Sequence, residues 1–151
     1  MTDDSPRPFA SDAAIRDLGE GLLACALPRS AWTHEAHLAA TLYLALERPE
    51  IDLERDLPGI IRAFNESVGG VNDDTQGYHE TITQVFLRGV RLHIAATGTT
   101  IGLADCVNAL LVDEKGRRDW PLRFYTKERL FSSAARREFV APDRAPLPKV
   151  D

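Results

Sequence analysis

The sequence lacks the short motifs that mark the common nucleotide-binding and hydrolytic enzymes. It contains no G-x-x-x-x-G-K-[ST], G-x-G-x-x-G, G-x-S-x-G or C-x-x-C segment. Such motifs arrange backbone N–H groups around phosphates, or present a serine or thiol nucleophile at the site of chemistry. Nucleotide hydrolysis, dinucleotide redox chemistry and standard hydrolase chemistry are therefore without support in this chain.

The chain also has few cysteines, and its net charge is not positive. Cys25 and Cys106 are the only cysteines, and both fall in segments predicted as helices, so we expect buried thiols in a reducing compartment. The formal net charge of -5 at pH 7 argues against a nucleic-acid partner, because a broad nucleic-acid footprint normally needs a net basic surface. Any anion site must therefore be local.

Long apolar runs are absent as well. The longest, residues 38–46, is interrupted by Thr41 and is far shorter than the roughly 20 residues that a membrane-spanning helix requires. The first six residues include acidic side chains where a secretory signal carries basic ones, and no apolar stretch follows directly. We therefore expect a cytoplasmic protein with no membrane partner.

The apolar residues that are present recur at the spacing of amphipathic helices. Together with caps and helix breakers, this periodicity predicts five helices: from Ser11 or Asp12 to Pro28, from near Ser30 to about Arg48, from Pro58 to Gly69, from a cap at Asp73, Asp74 or Thr75 to Gly98, and from Thr100 to about Val112. One or two short helices, capped by Thr126 and by Ser132 or Ser133, are predicted to end around Phe139.

No alternating strand pattern or internal repeat accompanies these segments, although a small hairpin around Lys115 and Gly116 stays open. A chain of 151 residues fits one domain with a core of its own. We therefore predict an all-α fold, a compact single-domain helical bundle of about five to six helices over residues 1–151, with loose ends at about 1–9 and 142–151. The sequence leaves a homo-oligomer open.

Three of the four histidines lie in two short motifs that carry the sharpest chemical signal. His34 and His37 are three residues apart in the second predicted helix, so they share one face. His79 falls on the apolar stripe of the fourth predicted helix, so it too is expected to point inward. His93 lies about 21 Å farther along that helix and belongs to another layer. We predict that His34, His37 and His79 converge.

Three neutral imidazoles would suit a divalent transition metal, such as zinc or iron, with open positions for water. Their location near helix starts disfavours imidazolium and leaves the ring lone pairs available. A fourth ligand, or a base for metal-bound water, would come from Glu66, Asp73, Asp74 or Glu80, with Glu66 and Glu80 as the catalytic candidates. Two alternatives stay open: the histidines are buried hydrogen-bonding groups of a polar network, or they act in acid-base chemistry without metal.

A second feature is the cationic stretch, which we define as residues 115–137. It contains eight Lys and Arg residues but only two acidic residues, and aromatic residues are interleaved. It favours a phosphate, a carboxylate ligand or an acidic partner; the alternative is a solvated face that pairs with the acidic remainder of the chain. The residues that we expect at a ligand, in this stretch or beside the histidine motifs, are Trp32, Asn65, Asp73, Asp74, Tyr78, Arg123, Tyr125 and Arg129.

These motifs together resemble an uncharacterised family of small bacterial helical proteins. The resemblance rests on W-[ST]-H-x-x-H-L at residues 32–38, an Asn-Glu pair at residues 65–66 and Y-H-x-T-x-T at residues 78–83. Residues 125–132 and 140–143 are similar to that family too, so most of the chain is covered. A looser similarity is to DinB-like metal-binding bundles, which use three histidines from different helices, although the spacing in this chain departs from theirs.

The leading expectation is therefore a metal-binding helical protein. If it is an enzyme, it is expected to act on a small molecule through the three-histidine site. The alternative, from another class, is a noncatalytic ligand-binding or regulatory module. This module would use the arginine-rich C-terminal region to hold an anionic ligand or partner.

Overall fold

The computed structural model describes residues 7–97 and 100–150. These residues form seven α-helices and three short 3₁₀ helices, and no β-strand occurs among them. The 3₁₀ helices are Arg29–Ala31, Glu114–Gly116 and Trp120–Arg123. The α-helices are α1 (Asp12–Leu23), α2 (His34–Glu47), α3 (Leu53–Ser67), α4 (Glu80–Thr97), α5 (Leu103–Val112), α6 (Lys127–Leu130) and α7 (Ser133–Arg137). The predicted all-α class is confirmed.

Capping side chains define where several helices begin. In each case a side-chain oxygen accepts a hydrogen bond from a backbone N–H in the first turn of the following helix. The capping residues are Ser11, Thr33, Asp52, Thr126 and Ser132. Such a cap satisfies one of the backbone donors that a helix start leaves unpaired, and it contributes about 1 kcal/mol. The Thr33 cap makes His34 the first residue of α2.

Three helices begin later than the sequence predicts, and for α5 the start is Leu103 and not Thr100. A 3₁₀ turn over Arg29–Ala31 precedes α2, so this helix starts at His34 and not near Ser30. The start of α4 is delayed to Glu80 because Asp73 acts within the preceding loop, where its Oδ1 accepts the N–H groups of Thr75 and Gln76. The predicted end of this helix at Gly98 lies outside the described residues. The open hairpin around residues 115–116 is instead a 3₁₀ turn.

Pro58 lies inside α3 and not in its first turn, because Asp52 caps the helix six residues earlier. Proline has no N–H, so the carbonyl oxygen of Glu54, four residues before it, lacks its usual helical donor. The side-chain amide of Gln84 on α4 takes that place, with Nε2 donating to the Glu54 oxygen at 3.3 Å. The proline thereby connects α3 to α4 through a side-chain hydrogen bond.

The central helix of the bundle is α4. It contacts α2, α3, α5 and α7, and its side chains Val85, Phe86 and Val90 are buried. The neighbouring α2 is buried over residues 38–44 without interruption, in line with its apolar circumference. On the other side of α2, the ring of Tyr43 covers Gly19 of α1 so closely that a Cβ there would lie 2.2 Å from Cδ2 of the ring. Glycine is what lets these two helices approach.

Both ends of the described chain are tied to the core. The backbone N–H of Phe9 donates to Asn108 Oδ1 at 2.8 Å, and Asn108 Nδ2 donates to the Phe9 oxygen at 3.0 Å. Near the other end, the N–H of Arg144 donates to the carbonyl of Phe124 at 2.9 Å, and Leu147 packs against the core. Of the segments predicted to be loose, residues 1–6 and 151 lie outside the described residues.

The two cysteines are free thiols. Cys106 is buried in α5, as predicted. Cys25 is only partly buried and does not belong to a helix, because it follows the end of α1 with a positive φ of 53°. The chain turns out of α1 at this residue.

None of the helices in residues 7–97 and 100–150 is both long and apolar enough to cross a bilayer. The longest, α4, has a polar face that carries Glu80, Arg88 and Arg91.

Candidate functional site

His34 and His37 lie in the first turn of α2, directly after the Thr33 cap. The Nε2 atom of His34 is 2.8 Å from the carbonyl oxygen of Gly116. A carbonyl only accepts hydrogen bonds, so Nε2 carries the ring proton and Nδ1 keeps its lone pair. The ring nitrogens of His37 take part in no hydrogen bond among the described residues. One face of α2 therefore presents two imidazoles with a nitrogen available.

Both imidazoles are held in the neutral form. Burial, with a contribution from the neighbouring His34, lowers the pKa of His37 from 6.5 to about 4. Burial also lowers the pKa of His34, although the bond to Gly116 acts in the opposite direction. Aromatic rings enclose the pair: Trp32 lies 5.4 Å from His37 and Phe86 lies 5.2 Å from His34, between ring centroids.

His79 uses both of its ring nitrogens in the fold. Its Nδ1 accepts the backbone N–H of Ile82 at 3.1 Å, so the ring caps α4. Since Nδ1 is an acceptor, Nε2 carries the proton, and it lies 2.8 Å from the carbonyl oxygen of Leu130 in α6. Burial lowers the pKa of His79, which keeps this neutral tautomer in place. The imidazole joins the start of α4 to the C-terminal helices.

The structure does not bring the three predicted imidazoles into one metal centre. In the described part of the chain, no group of three or more His, Cys, Asp or Glu side chains is arranged to hold a metal ion. His34 contacts Phe86, which lies seven residues, or about 10 Å, beyond His79 along the α4 direction. A shared site would require His79 to give up two hydrogen bonds and to move. His93 belongs to another layer, where its Nε2 bonds to the Cys106 carbonyl at 2.8 Å.

Four of the polar residues predicted from sequence order the loop between α3 and α4. Asn65 Nδ2 donates to Asn72 Oδ1 at 2.7 Å, and Glu66 accepts a longer bond of 3.4 Å from Asn72 Nδ2. Asp73 folds the loop tip, and Asp74 pairs with Arg137 of α7 at 3.0 Å. None of these four side chains is hydrogen-bonded to a histidine in the described residues, so their observed role is to shape the loop.

Tyr78, which is buried, and Glu80, which is partly buried, form a hydrogen-bonded pair at the start of α4. The Tyr78 hydroxyl donates to Glu80 Oε1 at 2.6 Å, and Arg62 lies over the tyrosine ring at 4.7 Å from its centroid. Burial and this carboxylate raise the pKa of Tyr78 well above its usual range. Gln84 Nε2 also donates to Glu80 Oε1, at 3.2 Å. These bonds hold the Glu80 carboxylate in one orientation.

Nearly all cations of the cationic stretch have partners. Two arginines donate to backbone carbonyls, Arg129 to Ala141 at 2.6 Å and Arg136 to Gly77 at 2.9 Å. The ion pairs are Lys115–Asp113, Arg117–Asp119, Arg118–Glu35, Arg123–Glu114 and Arg137–Asp74. Exposed pairs of this kind contribute at most about 1 kcal/mol each. The stretch has the arrangement of a solvated face paired with acidic residues, and Arg123 and Arg129 are occupied.

The segments that carry the family resemblance pack on one another. Thr81 Oγ1 donates to the Glu138 carbonyl at 2.9 Å and accepts the N–H of Val140 at 3.2 Å. The hydroxyl of Tyr125, which is fully buried, donates to the Val140 carbonyl at 2.6 Å. With the His79–Leu130 bond, these contacts fasten the C-terminal region to α4. Tyr125, predicted as a ligand contact, is buried, and its hydroxyl is hydrogen-bonded within the fold.

A surface cleft of about 660 Å³ lies between α3, α4 and the C-terminal segment. Its size falls within the range of about 300–1,000 Å³ that is usual for small-molecule sites. It is lined by Glu54, Glu80, Gln84, Leu87, Arg88, Arg91, Phe139, Lys149 and Val150. Of the residues predicted from sequence, only Glu80 belongs to it. The four polar residues that α4 contributes to this lining recur three or four positions apart. In the sequence, such a spacing is indistinguishable from that of an ordinary solvated helix face, because the segment that encloses it is distant in the chain.

The charges in this cleft are unevenly compensated. Arg91 and Glu54 neutralise each other through two hydrogen bonds of 2.5 and 2.8 Å. Arg88 uses one N–H, which donates to the Pro148 carbonyl at 3.2 Å. Neither Arg88 nor Lys149 forms an ion pair within residues 7–97 and 100–150. The cleft therefore contains two cations that have no carboxylate partner in the described part of the chain.

No protein-family model, curated protein or solved structure matches the chain. The function must therefore be inferred from the geometry of the cleft and of the histidine pair.

Proposed function

We propose that this protein is a ligand-binding module that holds a small carboxylate or phosphate with an apolar body in the cleft between α3 and α4. The observation that carries the proposal is that two cations without an ion-pair partner among the described residues, Arg88 and Lys149, share one concavity with the exposed apolar side chains of Phe139 and Val150. We also propose a cytoplasmic location, which the sequence alone supports.

The chemistry of Arg88 fits this function. A guanidinium has five N–H donors in a planar fork, and Arg88 uses one of them, so a carboxylate or phosphate can be bound by the others. Its side chain is partly buried along α4, which limits the competition of water for the anion. The neighbouring Arg91–Glu54 pair carries no net charge, so that part of the wall is neutral. The ligand's apolar portion then covers the exposed side chains of Phe139 and Val150.

The proposal is tested by titrating the protein with hexanoate and with phenyl phosphate, followed by isothermal calorimetry and by amide chemical shifts. Arg88→Gln should weaken binding of both probes at least about tenfold, because a charge-assisted hydrogen bond contributes about 1.5–3 kcal/mol. Amide shifts should cluster on α4 and near Phe139.

Arg144→Gln is the matched control. Arg144 also donates one hydrogen bond to a backbone carbonyl, that of Leu122 at 2.7 Å, but it does not line the cleft. It should leave affinity unchanged. Equal affinity of wild type and Arg88→Gln for both probes, or shifts confined to residues 115–137, would refute the cleft as the anion site.

A second candidate function is the binding of a divalent transition ion such as zinc at His34 and His37. The specific observation in its favour is that both rings are neutral and that each has a nitrogen free of hydrogen bonds among the described residues. These residues would hold the ion as imidazole ligands, which leaves positions for water or for a small molecule. His79 is not included, because both of its nitrogens are engaged.

Zinc titration of untagged protein tests this candidate. His37→Gln should abolish binding, whereas Arg88→Gln should not affect it, since the cleft residues are distinct from the histidine pair. Stoichiometric zinc binding that persists in His37→Gln would rule out the pair as the site.

A further inference from the structure

We infer that the ligand of the cleft is a short peptide with free ends, its ammonium group at Glu80 and its carboxylate at Arg88 and Lys149. This inference rests on the proposed function and adds a second, acidic pole to the anion site. The two poles lie on the same face of α4, Glu80 at the first position of α4 that lines the cleft and Arg88 two turns farther along the helix.

The Glu80 carboxylate is oriented but incompletely used. Its Oε1 accepts hydrogen bonds from the Tyr78 hydroxyl and from Gln84 Nε2. Its Oε2 has no hydrogen-bond donor among the described residues. Because the first two donors fix the carboxylate plane, the second oxygen is available for a cation in the cleft. The other acidic residue of the lining, Glu54, is occupied by Arg91.

The separation of the poles sets the length of the ligand. Glu80 and Arg88 are eight residues apart in one helix, so their backbone positions are separated by about 12 Å along the axis at 1.5 Å per residue. An extended peptide spans about 3.3–3.6 Å per residue, so three or four residues bridge the two groups. A single amino acid is too short to reach both.

The wall between the poles selects an apolar side chain. Phe139 and Val150 line this space from the C-terminal region and are exposed, whereas Leu87 of α4 is buried beneath it. The Gln84 Nε2 group already donates to Glu54 and Glu80, so of this side chain only the Oε1 acceptor is left for the peptide backbone. We therefore expect a central apolar residue and two charged ends to provide most of the affinity.

The test compares the peptide Ala-Leu-Ala with its N-acetylated and C-amidated forms by calorimetry on the full chain. Blocking either end should weaken binding to wild type at least about tenfold, because each block removes one charge-assisted contact. Affinity should peak at three or four residues in the series from Leu-Ala to Ala-Leu-Ala-Ala-Ala.

Glu80→Gln tests the ammonium pole directly. The amide oxygen still accepts from Tyr78, so the variant should fold, and a melting curve checks that it does. It should bind Ala-Leu-Ala as weakly as wild type binds the acetylated peptide, and acetylation should no longer matter. Glu128→Gln, at an exposed position of α6 outside the cleft, is the matched control and should behave as wild type.

The outcomes separate the two proposals. If acetylation and Glu80→Gln have no effect on Ala-Leu-Ala while Arg88→Gln weakens both the peptide and hexanoate, the peptide inference is overturned and the anion site stands. If neither hexanoate nor any peptide depends on Arg88, both are overturned. Should Glu80→Gln unfold, the acetylation series on wild type still decides the question.

Discussion

The surroundings of His37 disfavour the protonated, charged form of its ring, and no hydrogen bond among the described residues offsets this effect. The side chain is mostly enclosed, its ring lies against Trp32, and no hydrogen bond among the described residues reaches its nitrogens. Protonation would place a cation beside His34 in an apolar setting. The pKa near 4 is the consequence, and it has an effect on stability.

We predict that folding stability falls as the pH is lowered from 6.5 to 4. In the unfolded chain His37 titrates near 6.5, and in the folded protein it titrates at about 4, so between these values the unfolded state binds more protons. The stabilisation is complete above pH 6.5 and is lost on the way down to pH 4. The change amounts to about 2–3 kcal/mol for this group, with some exposure of the ring taken into account.

Urea denaturation at half-unit pH steps measures this loss. His37→Gln should flatten the pH dependence over that interval, leaving the smaller contributions of His34 and His79, whose pKa values are also lowered. An unchanged slope in His37→Gln would show that other groups account for the acid sensitivity.

A second residue-scale prediction concerns His79. His79→Ala removes the cap on Ile82 and the bond to Leu130, so it should lower the free energy of unfolding by about 2–4 kcal/mol. The loss should be the same with zinc and with EDTA, since the ring is engaged in the fold. His79→Asn should recover about 1 kcal/mol, because asparagine is a good N-cap but cannot reach Leu130. A loss seen only in the presence of zinc would instead make His79 a metal ligand.

At the scale of elements, the Pro58–Gln84 relationship predicts an interaction between two helices. Gln84→Ala should cost about 1 kcal/mol in the wild type, because it leaves the Glu54 carbonyl without a donor. In a Pro58→Ala background the helix supplies its own N–H to that carbonyl, so Gln84→Ala should cost less. A double-mutant cycle by chemical denaturation gives the coupling, and additive free energies would contradict this role of Gln84.

The sequence predicts helical elements better than it predicts their starts. Ile15, Leu18 and Leu22 form the expected buried stripe of α1, because 3.6-residue periodicity survives any tertiary arrangement. The preference of proline for first turns misplaces Pro58, since the Asp52 cap upstream carries no periodic signal. Local chemistry is therefore predictable from sequence, whereas the choice between competing local signals is not.

The candidate site is harder to predict, for a physical reason. The neutral, inward character of His34 and His37 follows from helix position, but whether His79 meets them depends on how α2 and α4 are placed. The sequence favours convergence, whereas His79 Nε2 bonds to Leu130, 51 residues away in the chain. The cleft likewise requires Lys149 and Val150 to come back to α4. Contacts of such long range leave no local pattern.

At the scale of the whole molecule, we predict that the last residues serve the cleft more than the fold. Within the described residues, the segment after residue 146 contributes the partly buried Leu147 and one hydrogen bond from Arg88 to Pro148. A chain ending at Pro146 should keep its far-ultraviolet circular dichroism and lose only about 1–2 kcal/mol of stability. Hexanoate affinity, measured by calorimetry, should fall at least about tenfold. Unaltered affinity would show that Lys149 and Val150 do not contribute.

The central position of α4 also has a consequence during protein synthesis. During translation, α4 leaves the ribosome before residues 126–143 do. This later segment is hydrogen-bonded to His79 and Thr81 at the start of α4. At about 5–20 residues per second, translation of the intervening chain takes roughly 2–9 s. For that interval the first turns of α4 have no C-terminal cover, and the nascent chain exposes apolar surface that a ribosome-associated chaperone can bind. These contacts close only after residues 126–143 have emerged.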